Sequence, residues 1–146
     1  MNKKDKISLL AISFSKGFIS PQVPIATFYQ NGKELNFIID TGSDDNVIAR
    51  EALDGIKYEK VEMPGKTLSG VGGVFNVEVC NIEFESEEDK FTDTFIIADH
   101  LKDAFDNIRK CHAIPLHGMI GSKFLNEHRL VLDFTNYIAY TKPDKE

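Results

Sequence analysis

The chain has 146 residues, 42% of them hydrophobic and 27% charged, which is enough for one domain with a substantial core. Its formal net charge of -6 argues against nucleic acid as an obligatory partner, because phosphate binding requires a basic surface. Two cysteines, Cys80 and Cys111, fit neither a disulfide framework nor a Cys-x-x-Cys metal site, so free, partly buried thiols are predicted.

The N-terminal segment has a short apolar run at residues 7–12, which follows three lysines. Ser13, Ser15 and Lys16 interrupt this run, so it is too short and too polar for a signal peptide or a transmembrane helix. We therefore expect a cytoplasmic protein in which residues 1–20 form an N-terminal extension or strand.

Two predicted strands lead to a polar turn. The apolar runs 25–29 and 35–39 flank Asn31-Gly32, a dipeptide that strongly favours a β-hairpin. The second run ends at Asp40-Thr41-Gly42, which brings a carboxylate, a hydroxyl and a residue without a side chain into one turn. Such a turn can present a carboxylate for chemistry, although a strand end followed by an Asx-type turn has the same pattern.

The middle of the chain is predicted to contain one short helix and several strands. Residues 46–53 are expected to be helical, with Asp44 or Asp45 as the cap and Asp54-Gly55 as the end. Residues 68–74 are rich in glycine, which alone indicates only a loop. The apolar residues of 75–79 and 80–84 alternate in opposite phase, so a bulge or twist is predicted near Val79. A charged turn over residues 85–90 then precedes a strand at 91–97.

The C-terminal part predicts the best helix of the chain. Leu101, Ala104, Phe105 and Ile108 share one helical face within residues 99–110. A short helix is expected to start after residues 119–121, and residues 129–134 and 137–140 predict a second hairpin. The sequence shows no linker or repeat, so a single all-β or mainly β barrel with one or two short helices is predicted.

Two motifs together resemble the retropepsin-like aspartic proteases. Ile39-Asp40-Thr41-Gly42-Ser43 is similar to the Asp-Thr/Ser-Gly turn of that family, and Met119-Ile120-Gly121 is similar to the later apolar-apolar-Gly segment that backs it. Residues 68–74 lie where the family has a flap hairpin. The resemblance implies a closed acid-protease β-barrel over residues 21–141 with a C-terminal tail at 142–146, and we expect a bacterial or cellular rather than a retroviral type of member.

The resemblance also implies a reaction and a partner. Aspartic endopeptidases use two carboxylates, one ionised to activate water and one protonated to hydrogen-bond the scissile carbonyl, without metal or cofactor. This chain has one Asp-Thr-Gly and no room for a second lobe. A homodimer is therefore expected, in which the Asp40 residues of two subunits meet and share one proton. The expected partners are a second copy of the chain and a peptide or protein substrate.

Further roles follow from the resemblance alone. Thr41 resembles the residue whose hydroxyl bonds across the dimer axis, Gly42 the glycine whose backbone meets the substrate, and Ser43 a small residue that supports the carboxylate. The expected substrate-binding residues are Ser43, Asp44, Gly70, Val71, Gly72 and Gly73, and the expected structural supports are Ile120 and Gly121.

The chain departs from the retroviral pattern next to Gly121. Retroviral members usually pair the residue that Asp44 resembles with an arginine directly after Ile-Gly, where this chain has Ser122. Either Lys123 or Arg129 takes that role, or the dimer and its subsites are built differently. Asp44 and Asp45 can alternatively be helix caps or surface carboxylates.

Two other functional classes stay open. One is a catalytically silent peptide-binding or dimerisation module of the same fold, in which Asp40 is never paired. The other is a small-molecule-binding barrel, which would have a closed apolar cavity away from Asp40. The four histidines have no metal-ligand spacing, so no metal site is predicted.

Overall fold

The computed structural model describes residues 10–19, 22–63, 65, 67–70, 73–87, 89–99 and 101–142. Its strands are β1 (Ala11–Ser13), β2 (Ile25–Gln30), β3 (Lys33–Ile39), β4 (Asn46–Ala49), β5 (Glu59–Val61), β6 (Thr67–Gly70), β7 (Gly73–Asn76), β8 (Glu78–Ser86), β9 (Asp89–Ala98), β10 (Gly118–Ile120), β11 (Leu130–Asp133) and β12 (Ile138–Thr141). Its helices are α1 (Lys16–Ile19), α2 (Lys102–His112) and α3 (Ser122–Glu127), with a 3-10 helix at Arg50–Leu53. The predicted mainly β architecture is confirmed.

Six strands close into a barrel in the order β2-β3-β10-β4-β9-β8, and β5 extends the sheet beyond β8. The closure is the pairing of β2 with β8 at Tyr29 and Glu85. Within the barrel β10 lies between β3, to which it is parallel, and β4, to which it is antiparallel. Ile39 and Ile120 are register partners, so the segments that follow β3 and β10 emerge side by side.

The predicted β2–β3 hairpin is confirmed. Its two-residue turn has φ of 49° at Asn31 and 82° at Gly32, the positive values that a type I′ turn requires. The pairing runs from Gln30 with Lys33 to Ile25 with Ile38. This register carries β3 through the barrel to Asp40.

Phenylalanine side chains fill the barrel. Phe28 and Phe84 have ring centroids 5.0 Å apart, and Phe91 and Phe124 have centroids 5.4 Å apart. Cys80 belongs to the same core, and its burial raises the pKa of the thiol to about 11. Cys111 is a free thiol, as predicted, but it is exposed on α2. The interior is therefore a packed core, as small barrels require.

The predicted helix over residues 46–53 is wrong in its first half. Residues 46–49 form strand β4, which pairs with both β10 and β9 and is buried at all four positions. Val47 packs in one apolar cluster and Ile48 in the other, so both faces of the strand are covered. Burial on both faces hides the alternation that normally marks a strand. The helical turn begins only at Arg50.

The bulge predicted near Val79 is also wrong. β8 pairs with β9 in one unbroken register from Glu78 with Ile97 to Ser86 with Asp89. The apolar pattern changes phase because Val79 packs in the outer cluster with Val47 and Ile96, whereas Cys80 faces the barrel core.

The chain ends form a separate three-stranded sheet in the order β1-β12-β11. Aromatic contacts connect the segment that follows β1 to the turn between β11 and β12. The stacked rings of Phe18 and Tyr137 have centroids 4.6 Å apart, and the rings of Phe14 and Phe134 have centroids 5.2 Å apart. Among the described residues, both neighbours of β12 come from its own chain, and β1 and β11 are the outer strands of this sheet.

The helices cover the barrel at two places. α2 confirms the helix predicted at 99–110, although it begins at Lys102 and ends at His112, and it buries Phe105. α3 confirms the helix expected after Gly121 and buries Phe124 and Leu125. None of the helices in the described residues is long and apolar enough to cross a membrane.

Candidate active site

Asp40 is the first residue after β3 and is half-buried. Its N–H donates to Ile120 O at 2.9 Å, which continues the ladder between β3 and β10. Its Oδ1 accepts the N–H of Gly42 at 3.0 Å, and its carbonyl accepts the N–H of Ser43 at 3.2 Å. The Asx-type turn that the sequence allows is thus present. This turn holds the carboxylate of Asp40 at the end of β3. The Asx-type turn and a functional role of Asp40 are therefore compatible.

The segment after β10 lies directly against this turn. Ser122 donates from Oγ to Thr41 O at 2.8 Å and from its backbone N–H to Ser43 O at 2.7 Å. The side chain that replaces the expected arginine therefore ties the start of α3 to the Asp-Thr-Gly turn.

Gly121 is required by the close approach of two backbones. A Cβ at this position would lie 2.4 Å from Asp45 O and 2.8 Å from Asp44 O. Its N–H donates to Asn46 Oδ1 at 3.0 Å in a buried bond. Ile120 is 1% exposed beside it. Both predicted supports thus lie beneath the segment that follows Asp40.

Asn46 is a site residue that the sequence analysis missed. Its side chain is only 5% exposed, and its amide also donates to Thr94 O at 3.3 Å. It therefore links the glycine beneath the turn to β9. The sequence did contain a signal for this role, since Asn46 is a polar residue at the start of the apolar run Asn46-Val47-Ile48-Ala49. A buried amide needs hydrogen-bond partners, so such a residue is expected to bond to neighbouring segments.

The two carboxylates after Ser43 have different surroundings. Asp44 is exposed, and its carbonyl accepts the N–H of Lys123 at 3.1 Å. Lys123 Nζ pairs with Asp45 Oδ1 at 3.2 Å. Of the two candidate replacements for the arginine, Lys123 is therefore near this segment, but its ion pair is made with Asp45. Ser43 Oγ donates to Asp45 O at 2.8 Å, which holds Asp45 in place.

The glycine-rich segment forms a β-hairpin. β6 and β7 pair antiparallel from Thr67 with Asn76 to Gly70 with Gly73, as a two-stranded sheet of their own. Val71 and Gly72, at the predicted tip, lie outside the described residues. The hairpin that the resemblance implies is present, and its position over Asp40 stays a prediction.

A groove of about 390 Å³ lies elsewhere on the barrel. Its walls include Tyr29, Lys57, Tyr58, Glu83 and Lys90. Tyr29 pairs with Glu34, and the six residue-to-residue steps from Glu34 to Asp40 span roughly 20 Å. The polar and charged lining differs from the closed apolar cavity of the small-molecule alternative. In the described residues no group of three or more His, Cys, Asp or Glu side chains could hold a metal ion.

Comparison with known proteins identifies the family. The model of the retroviral aspartyl protease family matches residues 20–132, so the chain belongs to this family. Among solved structures, the EIAV protease in complex with the inhibitor HBY-793 is similar, with a TM-score of 0.53 and 20% sequence identity. The match covers 74% of this chain and 89% of that chain. It shows that this chain has the retropepsin-like fold.

Proposed function

We propose that this protein is an aspartic endopeptidase whose active site forms across a homodimer from the Asp40 of each subunit. The observation that supports this most is the position of Asp40. Its turn is hydrogen-bonded to the end of β10 and to the start of α3, and it is backed by Ile120 and Gly121. Each chain has one such turn, and amide hydrolysis by this route needs two carboxylates.

Two facing carboxylates hold one proton between them, because like charges at short range cannot both ionise. The ionised carboxylate takes a proton from a water molecule, and the resulting hydroxide equivalent adds to the peptide carbonyl carbon. The protonated carboxyl group hydrogen-bonds the carbonyl oxygen and stabilises its developing charge. Return of a proton to the amide nitrogen breaks the C–N bond and gives a new carboxyl and a new amino terminus.

The substrate is proposed to bind as an extended peptide between the β6–β7 hairpin and the active-site turn. Gly42 already donates its N–H to Asp40 Oδ1, so its carbonyl is the group offered to a substrate N–H. Ser43, Asp44 and the hairpin residues 70–73 are the proposed neighbours of this peptide. Thr41, which is exposed next to Asp40, is proposed to contact its counterpart across the dimer axis.

Asp40→Asn is the direct test of the proposed chemistry. The change is nearly isosteric and keeps an oxygen for the Gly42 N–H, but it removes the proton-transferring group. We expect peptide hydrolysis to fall by at least about 100-fold with an unchanged circular dichroism spectrum. Asp54→Asn, a surface aspartate at the end of the 3-10 helix, is the matched control and should keep wild-type activity.

Wild-type hydrolysis by Asp40→Asn would exclude this mechanism. An inactive wild-type protein that still binds peptide would instead identify the silent module. The two functions are thus separated by measuring hydrolysis and peptide binding on the same preparations.

A further inference from the structure

His117 and Asn36 form a reciprocal pair at the start of the β3–β10 ladder. The His117 N–H donates to Asn36 O at 2.9 Å, and the Asn36 N–H donates to His117 Nδ1 at 3.0 Å. The next residues along the two strands, Phe37 and Gly118, are the first register partners of the ladder. A side-chain nitrogen thus takes the place of a backbone carbonyl in this pairing.

His117 also contacts the other neighbour of β10. Its carbonyl accepts the N–H of Ala49 at 2.9 Å, so the residue joins β10 to β3 on one side and to β4 on the other. Gly118 follows with no space for a side chain, because a Cβ would lie 2.2 Å from Val47 O. The far end of the same short strand supplies Ile120 O to the Asp40 N–H. His117 therefore directly precedes the three-residue strand that supports the active-site turn and anchors its start.

The geometry defines the protonation state of the ring. Nδ1 accepts a hydrogen bond, so it carries no proton, and the neutral ring has its proton on Nε2. An imidazolium ion would direct an N–H at the N–H of Asn36 and leave that amide without its acceptor. Asn36 is fully buried, so water cannot replace the lost partner.

Together, burial and the charged groups around His117 lower the pKa of its ring. Burial is the largest effect and lowers the pKa of His117, and Lys33 of β3 and Arg109 of α2 lower it further. Glu34 of β3 opposes them, whereas the bond from the Asn36 N–H to Nδ1 favours the neutral ring. Lys16, which contacts both Glu34 and the Asn36 side chain, adds a cation on the same side of β3.

We propose that neutral His117 is a positioning residue that holds β10 against β3 and β4, and that protonation of its ring releases this pairing and sets the acid limit of activity. The structural part rests on the hydrogen bonds of His117 alone. The consequence for activity rests on the proposed peptidase function.

The sign of the pH effect follows from linkage. The folded-state pKa of His117 lies below the ordinary value of 6.5, so the unfolded chain binds a proton more readily. The stabilisation is complete above 6.5 and is lost as the pH falls through the folded-state pKa. One proton changes the unfolding constant by at most about tenfold per pH unit in that window.

His117→Asn provides an acceptor oxygen close to the position of Nδ1 and does not titrate. Urea unfolding of the wild type and of this variant should be compared from pH 8 to pH 4.5, with His128→Gln as the control histidine. We expect the unfolding constant of the wild type to rise by up to about tenfold per pH unit below 6.5, relative to His117→Asn. The ring of His128 packs on Phe124 instead, so His128→Gln should retain the wild-type dependence of the unfolding constant on pH.

Parallel pH profiles for the wild type and His117→Asn would overturn the proposal. If His117→Asn does not fold, ring nitrogen NMR of the wild type decides. A proton on Nε2 and a titration below 6.5 support the proposal, whereas a proton on Nδ1 or a titration at or above 6.5 contradicts it.

In activity assays the acid limb of His117→Asn should move to lower pH. An inactive wild type would defeat the proposed function, and the stability and NMR results would still decide the role of His117.

Discussion

Gly42 lies within the active-site turn and Gly121 packs against the segment that follows it, and the two glycines are constrained to different degrees. A Cβ at Gly42 would lie 3.3 Å from Asp40 Oδ1, the end of a side chain, whereas a Cβ at Gly121 would lie 2.4 Å from backbone. Neither glycine has a positive φ among the described residues, so space rather than backbone conformation sets the constraint. Substitution of Gly121 should therefore mainly affect stability, and substitution of Gly42 should mainly affect activity.

We predict that Gly121→Ala lowers the free energy of unfolding by about 1–3 kcal/mol, because the 44–45 backbone must move. Gly42→Ala, the matched variant, should change the unfolding free energy much less and reduce peptide hydrolysis through the carboxylate that it contacts. Chemical denaturation and kcat/KM for both variants check this. Equal destabilisation by the two alanine substitutions would show that the close backbone approach at Gly121 does not determine the free energy of unfolding.

The residues next to Asp40 show where prediction from sequence stops. Asp40, Ile120 and Gly121 could be singled out as candidates because their two short motifs resemble those of the retropepsin-like proteases. The hydrogen bond of Asn46 to Gly121 and the ion pair of Lys123 with Asp45 could not, since both join segments far apart in the chain. These contacts depend on β10 inserting between β3 and β4.

At the scale of elements, strands that alternate or meet at tight turns were predictable. The β2–β3 hairpin follows from Asn31-Gly32, and α2 follows from one apolar face. β4 was not predictable because burial on both faces gives a continuous apolar run that also suits a helix. Burial on both faces of β8 at Val79 and Cys80 also produced the change of phase from which a bulge was predicted.

The β6–β7 hairpin pairs only with itself among the described strands, so few contacts protect its amides. We predict that amides of residues 67–70 and 73–76 exchange with solvent faster than those of β3. A bound peptide-like inhibitor should slow exchange in the hairpin and leave β3 unchanged. Hydrogen-exchange mass spectrometry measures both segments in one experiment. Protection of the hairpin equal to that of β3 without ligand would contradict its role as a flap.

At the scale of the whole molecule, the family and its barrel fold are established, and the active dimer is proposed. Among the described residues, β12 has strands of its own chain on both sides. In this part of the chain β1 and β11 are the outer strands of the sheet, so a strand of a second subunit would pair at one of these two edges. Which edge is used depends on packing between chains, which the pattern of one sequence does not encode.

In the proposed dimer, the pH dependence of hydrolysis comes from the shared pair of Asp40 carboxylates. The carboxylate pair must carry one proton, so kcat/KM should follow a bell-shaped profile with its maximum at acid pH. Activity is lost at higher pH when the pair loses its proton. It is lost at lower pH first as His117 becomes charged, and then as the pair gains a second proton. A flat profile from weakly acidic to alkaline pH would indicate different chemistry.

Mixing wild-type protein with Asp40→Asn tests the shared active site most directly. If each site takes one Asp40 from each subunit, only wild-type homodimers are fully active. After subunit exchange at equal amounts and fixed total concentration, activity should be about one quarter of that of the wild type alone. Activity of about one half, in proportion to the wild-type fraction, would show that each chain acts independently and would contradict the dimeric site.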